Sequence, residues 1–222
     1  MKPRAVVSFP KSGRTWLRFI LDELRVDADY SHAGAVPTPT DPYPQLNISP
    51  LTQYERIILL LRDPRDTVVS WYHHSTKRLL PKYEGTISDF IRNPNYGIQR
   101  IVEFHVLWLG VAAQHRNVRV LRYEDMHRDV AAVIAEALSF FGESRPTGTI
   151  QRAIVNNTFE ELQRRERSNE FDPVYRARMG TPNPDDLNSL KFRRGVVGSY
   201  RYELSPADIA YCDSVYSLSP AV

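Results

Sequence analysis

The chain has 222 residues, 42% hydrophobic and 25% charged, with 29 Lys and Arg against 26 Asp and Glu for a formal net charge of +3. That length suits a single domain over residues 1–222 that buries its own core, and one cysteine, Cys212, excludes an intrachain disulfide and fits a reducing, cytoplasmic setting. So small a cationic excess argues against general nucleic-acid binding, which needs a basic stripe or tail, while a small anionic ligand needs only a few well-placed cations.

The opening apolar run, Ala5 to Phe9, stops at Pro10. It is too short for a secretory leader, which needs ~7–15 apolar residues, or for a membrane span, which needs about 20. It reads as a strand, closed by Pro10 and Gly13. Trp16, Leu17, Ile20, Leu21 and Leu24 then recur at helical spacing and predict a helix over 14–25. A short strand follows near 28–31, and the proline-rich stretch 33–53 reads as a long loop. Arg56 to Leu61 reads as a strand whose continuous apolar run, Ile57 to Leu61, suits a parallel strand covered on both faces. Asp63 and Pro64 supply an N-cap and first residue for a helix to about Leu80. Further on, the pattern predicts helices at 98–115, 127–141, 147–156 and 158–167, a strand at 118–122, a polar irregular stretch at 168–190, and a last helix opened by Ser205-Pro206.

Strands alternating with helices predict a three-layer α/β fold, with a mainly parallel central sheet and helices on both faces. Ligands of such sheets bind beyond the carboxyl ends of the strands, so three segments matter. Pro10-Lys11-Ser12-Gly13-Arg14-Thr15-Trp16 lies between a strand and a helix, where backbone N–H groups and the helix dipole favour an anion. It differs from the G-x-x-x-x-G-K-[ST] phosphate loop because its lysine precedes the glycine. Arg62 ends a core strand and can aim a planar donor fork at an anion, with Ser70 two turns into the next helix. Arg193-Arg194-Gly195-Val196-Val197-Gly198 is a cationic, glycine-containing loop able to fold over a phosphate.

Taken in order, these segments resemble the PAPS-dependent sulfotransferase family, whose donor is 3′-phosphoadenosine 5′-phosphosulfate (PAPS). Residues 10–16 resemble its P-K-S-G-T-T-W loop, Arg62 to Ser70 its 3′-phosphate segment, and 193–198 its R-K-G-x-x-G loop, while Tyr123-Glu124-Asp125-Met126 matches a Y-E-D-M segment. The resemblance implies a P-loop-like nucleotide-binding core. It implies that Lys11, Ser12, Gly13, Arg14 and Thr15 hold the 5′-phosphosulfate, with Trp16 and Tyr123 at the adenine and Phe159 as an aromatic wall. Arg62, Ser70, Arg193, Arg194 and Gly195 would bind the 3′-phosphate. It also implies a sulfotransferase without a metal, releasing adenosine 3′,5′-bisphosphate (PAP), with a small-molecule, glycan or lipid acceptor and no nucleic-acid partner. Lys11 would stabilise charge on the leaving side and His32, between the two phosphate segments, would be the base, with His74 as second choice. His73 reads as part of a partly exposed helix face, and His105, His115 and His127 as structural or surface residues.

Four positions depart from the family pattern: Arg14 stands in place of a common threonine, Tyr30 in place of a lysine, and Ser199-Tyr200 in place of Asp-Trp. Tyr43, Tyr72, Tyr83, Tyr96 and Trp108 are candidates for an aromatic acceptor pocket, although core packing accounts for most residues of this kind. Two other classes fit parts of the pattern. A P-loop kinase needs G-K-[ST] and a strand-end carboxylate for Mg²⁺, of which Asp63 supplies only the second. A nucleotide-binding protein without turnover would keep the phosphate contacts alone.

Overall fold

Strands whose residues are apolar on both faces must be covered on both, and that requirement organises the molecule. The computed structural model describes residues 2–36 and 44–217. Its sheet contains β1 (Lys2–Val7), β2 (Asp29–Ser31), β3 (Tyr54–Leu61) and β4 (Val118–Arg122), all parallel, in the order β2-β1-β3-β4. Ala5, Val7, Ile57, Leu59 and Leu61 face one core and Val6, Ile58 and Leu60 the other, the period of two that a pleated strand imposes.

The helices divide accordingly. The first core is closed by α3 (Pro64–Lys77), α4 (Ile87–Arg92), α5 (Ile98–Gln114) and α11 (Pro206–Ser217), through Trp71, Phe90, Phe104, Trp108 and Cys212. The second is closed by α1 (Arg14–Glu23), α6 (Tyr123–Arg128), α7 (Val130–Phe141), α8 (Thr147–Asn156) and α9 (Phe159–Ser168), through Leu17, Ile20, Met126, Ile134, Ala153 and Leu162. The short α2 (Pro50–Gln53) leads into β3, and α10 (Pro173–Met179) follows α9. This is the three-layer α/β arrangement expected.

The strand order fixes where a ligand can enter. From β1 the chain passes through α1 to β2 on one side, then returns to β3 on the other side of β1. The loops leaving β1 and β3 therefore diverge, and a crevice opens at their carboxyl ends.

Several boundaries differ from the sequence reading. Ser8 and Phe9 lie beyond β1, though both are buried. The helix expected at 127–141 is two, because Asp129 leaves helical geometry and its carboxylate caps α7 through Ala132 N at 3.0 Å. Helix α4, set by a reciprocal Thr86–Asp89 capping box, was not expected, nor was α10 within the polar stretch. Asp63 and Pro64 open α3 as expected, with Asp63 accepting from Arg65 N at 2.8 Å.

His105 lies inside α5 with both ring nitrogens buried and without partners among the described residues. Burial pulls its pKa down to about 4 from the ordinary 6.5, with the Arg122 charge adding to the effect. Between those values the unfolded chain binds a proton that the fold refuses, so stability falls as pH drops through this window. Urea melts at pH 7 and pH 5 should show His105→Gln losing about 2 kcal/mol less than the parent.

Candidate functional site

At the carboxyl edge of the sheet the segments that follow all four strands meet in one cavity of about 260 Å³. After β1, the loop 10–13 reverses the chain with Lys11 at φ +68° and Gly13 at φ +89°. Gly13 is required on two counts, since its backbone is left-handed and an added Cβ would sit 2.3 Å from the Tyr123 ring. The amino end of α1 carries the positive end of the helix dipole, and Trp16 N and Leu17 N donate to the Gly13 carbonyl at 3.0 Å and 3.3 Å. Lys11 Nζ donates to the Lys191 carbonyl at 3.3 Å, and burial followed by the Lys191 charge pulls its ammonium down to about 7. Lys11, Gly13, Arg14, Thr15 and Trp16 all line the cavity. Ser12 does not: it is fully buried and its hydroxyl has no partner among the described residues.

Arg62, at the end of β3, is buried beneath the same loop. It donates to the Lys11 carbonyl at 3.2 Å, stacks its guanidinium 4.3 Å from the Tyr123 ring centroid, and keeps a buried Nε without an acceptor among the described residues. Ser70 lines the cavity from α3, and Phe159 from α9. The loop at 193–195 comes from the far end of the chain. Gly195, at φ +60°, lies so close to Phe159 that a Cβ would fall 2.6 Å from its ring. Arg193 and Arg194 are backed by Glu203, at 2.7 Å and 3.6 Å, and Glu203 also bonds His73 Nε2 at 2.6 Å. Asp66 in α3, fully buried, accepts from Gly198 N at 2.6 Å and Tyr200 N at 3.0 Å and pins the next turn. The cavity thus gathers six cationic side chains, Lys11, Arg14, Arg62, Lys191, Arg193 and Arg194, with no Asp or Glu in the lining among the described residues. Such a site suits a multiply charged anion.

Two histidines reach the cavity, His32 and His74. His32 Nδ1 lies 2.8 Å from the Ser8 carbonyl, which can only accept, so that nitrogen carries the proton. Its Nε2 is 2.7 Å from Arg14 Nη2, which can only donate, so the lone pair sits there and the guanidinium covers it. Burial first, then the Arg14 charge, hold the His32 pKa down to about 3. His74 stacks on Trp71 with ring centroids 5.4 Å apart, and burial together with Lys11 and Arg78 holds it down to about 2.

The described aromatic candidates serve the core packing that the sequence favoured for most of them. Tyr72, Tyr83 and Tyr96 pack around Phe90, Trp108 is wholly buried, and none of them lines the cavity, while Tyr43 lies outside the described residues. Tyr30 takes Arg18 over its ring at 4.4 Å instead of offering a charge. Sequence reasoning missed Lys191 and Trp71 in the lining and Asp66 and Glu203 behind it. Lys191 stands two residues before the arginine pair and Asp66 one turn after Arg62, so proximity to the motifs was the available signal. Glu203 carries none.

A family model described as "Sulfotransferase domain" matches residues 41–219. The chain is 28% identical over 155 residues to luciferin sulfotransferase of Photinus pyralis, covering 68% of this chain and only 40% of that protein. It is 22% identical over 246 residues to 3-beta-hydroxysteroid sulfotransferase of Cavia porcellus, covering 95% of this chain and 80% of that one. Among solved structures, mouse sulfotransferase SULT7A1 complexed with PAP superposes with a TM-score of 0.70 at 19% identity, over 98% of this chain and 84% of the mouse chain. No described helix is long and apolar enough to cross a membrane.

Proposed function

The chain belongs to the sulfotransferase domain family, and from that premise we propose that it transfers a sulfuryl group from PAPS to a hydroxyl or amine of a small acceptor. One observation carries the reading: the loops after β1 and β3 and the late arginine loop, distant in sequence, line one cationic cavity at the switch point of the sheet.

In this reading Lys11, Gly13, Thr15 and the first-turn N–H groups of α1 hold the 5′ side. Arg62, Ser70, Arg193 and Arg194 hold the 3′-phosphate, and the Arg62 Nε, without an acceptor among the described residues, supports that role. Trp16, Tyr123 and Phe159 flank the base. When bound, the donor supplies an activated sulfuryl group whose bond to the 5′-phosphate breaks as the acceptor attacks in line. In this reading Lys11 stabilises charge on that phosphate oxygen, and His32 Nε2 takes the acceptor proton. A cytoplasmic setting and operation without a metal complete the proposal. The kinase reading finds no support here, because the Asp63 carboxylate is tied to Arg65, accepting from its Nε at 3.0 Å and its Nη2 at 2.7 Å, and does not line the cavity.

Calorimetry tests the donor site. PAP should bind without Mg²⁺, and Arg62→Ala should weaken it about tenfold to a hundredfold while changing 5′-AMP little. Absence of heat with PAP, or equal losses for both nucleotides, would refute the reading.

A further inference from the structure

His32 cannot act as a base while a guanidinium covers the lone pair that must accept the proton. Arg14 spans two acceptors on consecutive residues where β2 ends, donating from Nη1 to the Ser31 carbonyl at 2.6 Å and from Nη2 to His32 Nε2 at 2.7 Å. The Nη1 bond is a pivot about which the other arm can turn. Uncovering Nε2 removes one acceptor from a half-buried cation. A neutral hydroxyl offers little in exchange, whereas an oxyanion offers a stronger, charge-assisted bond. The charge pattern points the same way. Lys11, Arg62, Arg193 and Arg194 match the phosphates of the proposed donor, while Arg14, in the place of the family's threonine, and Lys191 add two further cations to the cavity, both acting electrostatically on His32.

We propose that the acceptor carries its own anionic group, a carboxylate or phosphate, which draws Arg14 off His32 Nε2, so that the base is uncovered only when that group is in place. The proposal rests on the sulfotransferase reading and deepens it by naming the acceptor class. Arg14 is then a specificity-determining and positioning residue. It links recognition of the anion to the step in which the acceptor proton passes to Nε2, the acceptor oxygen bonds to sulfur, and the bridging electron pair leaves on the 5′-phosphate. The groups facing His32 are Arg14 from α1, Lys191 from the segment before the arginine loop, His74 from α3 and the Ser8 carbonyl after β1.

The test is the nitrogen-15 spectrum of the His32 ring at pH 7, with benzoate, phenyl phosphate, benzamide and PAPS as probes. In the parent protein, benzoate or phenyl phosphate should move the Nε2 resonance to the position it holds in Arg14→Met, while benzamide leaves it in place. Arg14→Met should respond to none of the four. The idea is overturned if neither anion moves Nε2 in the parent, if Arg14→Met resonates where the parent does, or if PAPS alone uncovers the nitrogen, which would assign Arg14 to the donor's sulfuryl oxygens. The parent arm stands even if Arg14→Met does not fold. Because the titration needs no bound nucleotide, its outcome is separate from the PAP calorimetry.

Discussion

Turnover of His32→Ala is expected to fall by about two orders of magnitude or more, with affinity for PAP unchanged. The Ser8 carbonyl fixes the proton on Nδ1, so the ring is held in the tautomer a base needs, with its lone pair on Nε2 toward the cavity. The pH dependence follows from the same contacts. The active form is the neutral ring, and protonation below its folded pKa removes it. Burial and Arg14 hold that pKa at about 3, so kcat/KM in the parent should show no acid limb between pH 7 and about 5. Replacing Arg14 by Thr removes the adjacent charge, so a limb should move upward toward the ordinary histidine range. His74→Gln is the control, with an expected loss below about tenfold, since a single positioned base accounts for the larger effect. Near-normal turnover in His32→Ala, with collapse in His74→Gln, would transfer the role to His74.

The parts of this site legible in the sequence are those set by local chemistry. A first strand closed before Pro10, a glycine that must adopt positive φ, and Asp63-Pro64 opening a helix are decided within a few residues. The donor-side motifs sit at strand ends, and a parallel sheet brings strand ends together whatever lies between. The Arg14–His32 contact is of another kind. It depends on the Ser8 and Ser31 carbonyls ending adjacent strands, 24 positions from His32 and 17 from Arg14 respectively. Neither residue type announces such a pairing. Asp66 and Glu203 look like solvent carboxylates in sequence, yet one is fully buried and both hold backbone or arginines at the site. The aromatic set left two uses open in sequence, because tyrosines that suit a pocket equally suit the packing around Phe90 that they adopt.

Glu166→Ala is expected to cost about 3–5 kcal/mol of stability, which in a chain of this size lowers Tm by roughly 10 °C. Glu166 is fully buried in α9, and its carboxylate accepts from Arg78 Nη1 at 3.2 Å and from the backbone N–H groups of Lys191 at 2.7 Å and Phe192 at 2.9 Å. Arg78, at the end of α3, also donates to the carbonyls of Ser189 at 2.6 Å and Gly180 at 2.8 Å. Removing the carboxylate strands a buried guanidinium and two N–H groups together, a case where losing one partner costs far more than the pair contributes. Glu166→Gln keeps the volume and one carbonyl acceptor and should lose less. The functional consequence lies two residues on, since Lys191 and Phe192 lead directly into Arg193 and Arg194. Below its melting point Glu166→Ala should therefore bind PAP more weakly than the parent, while a ligand that does not use the arginine pair, 5′-AMP, is affected less. A thermal melt within about 2 °C of the parent, less than 1 kcal/mol on this scale, would show that water reaches Arg78 and that the buried pair does not anchor the loop.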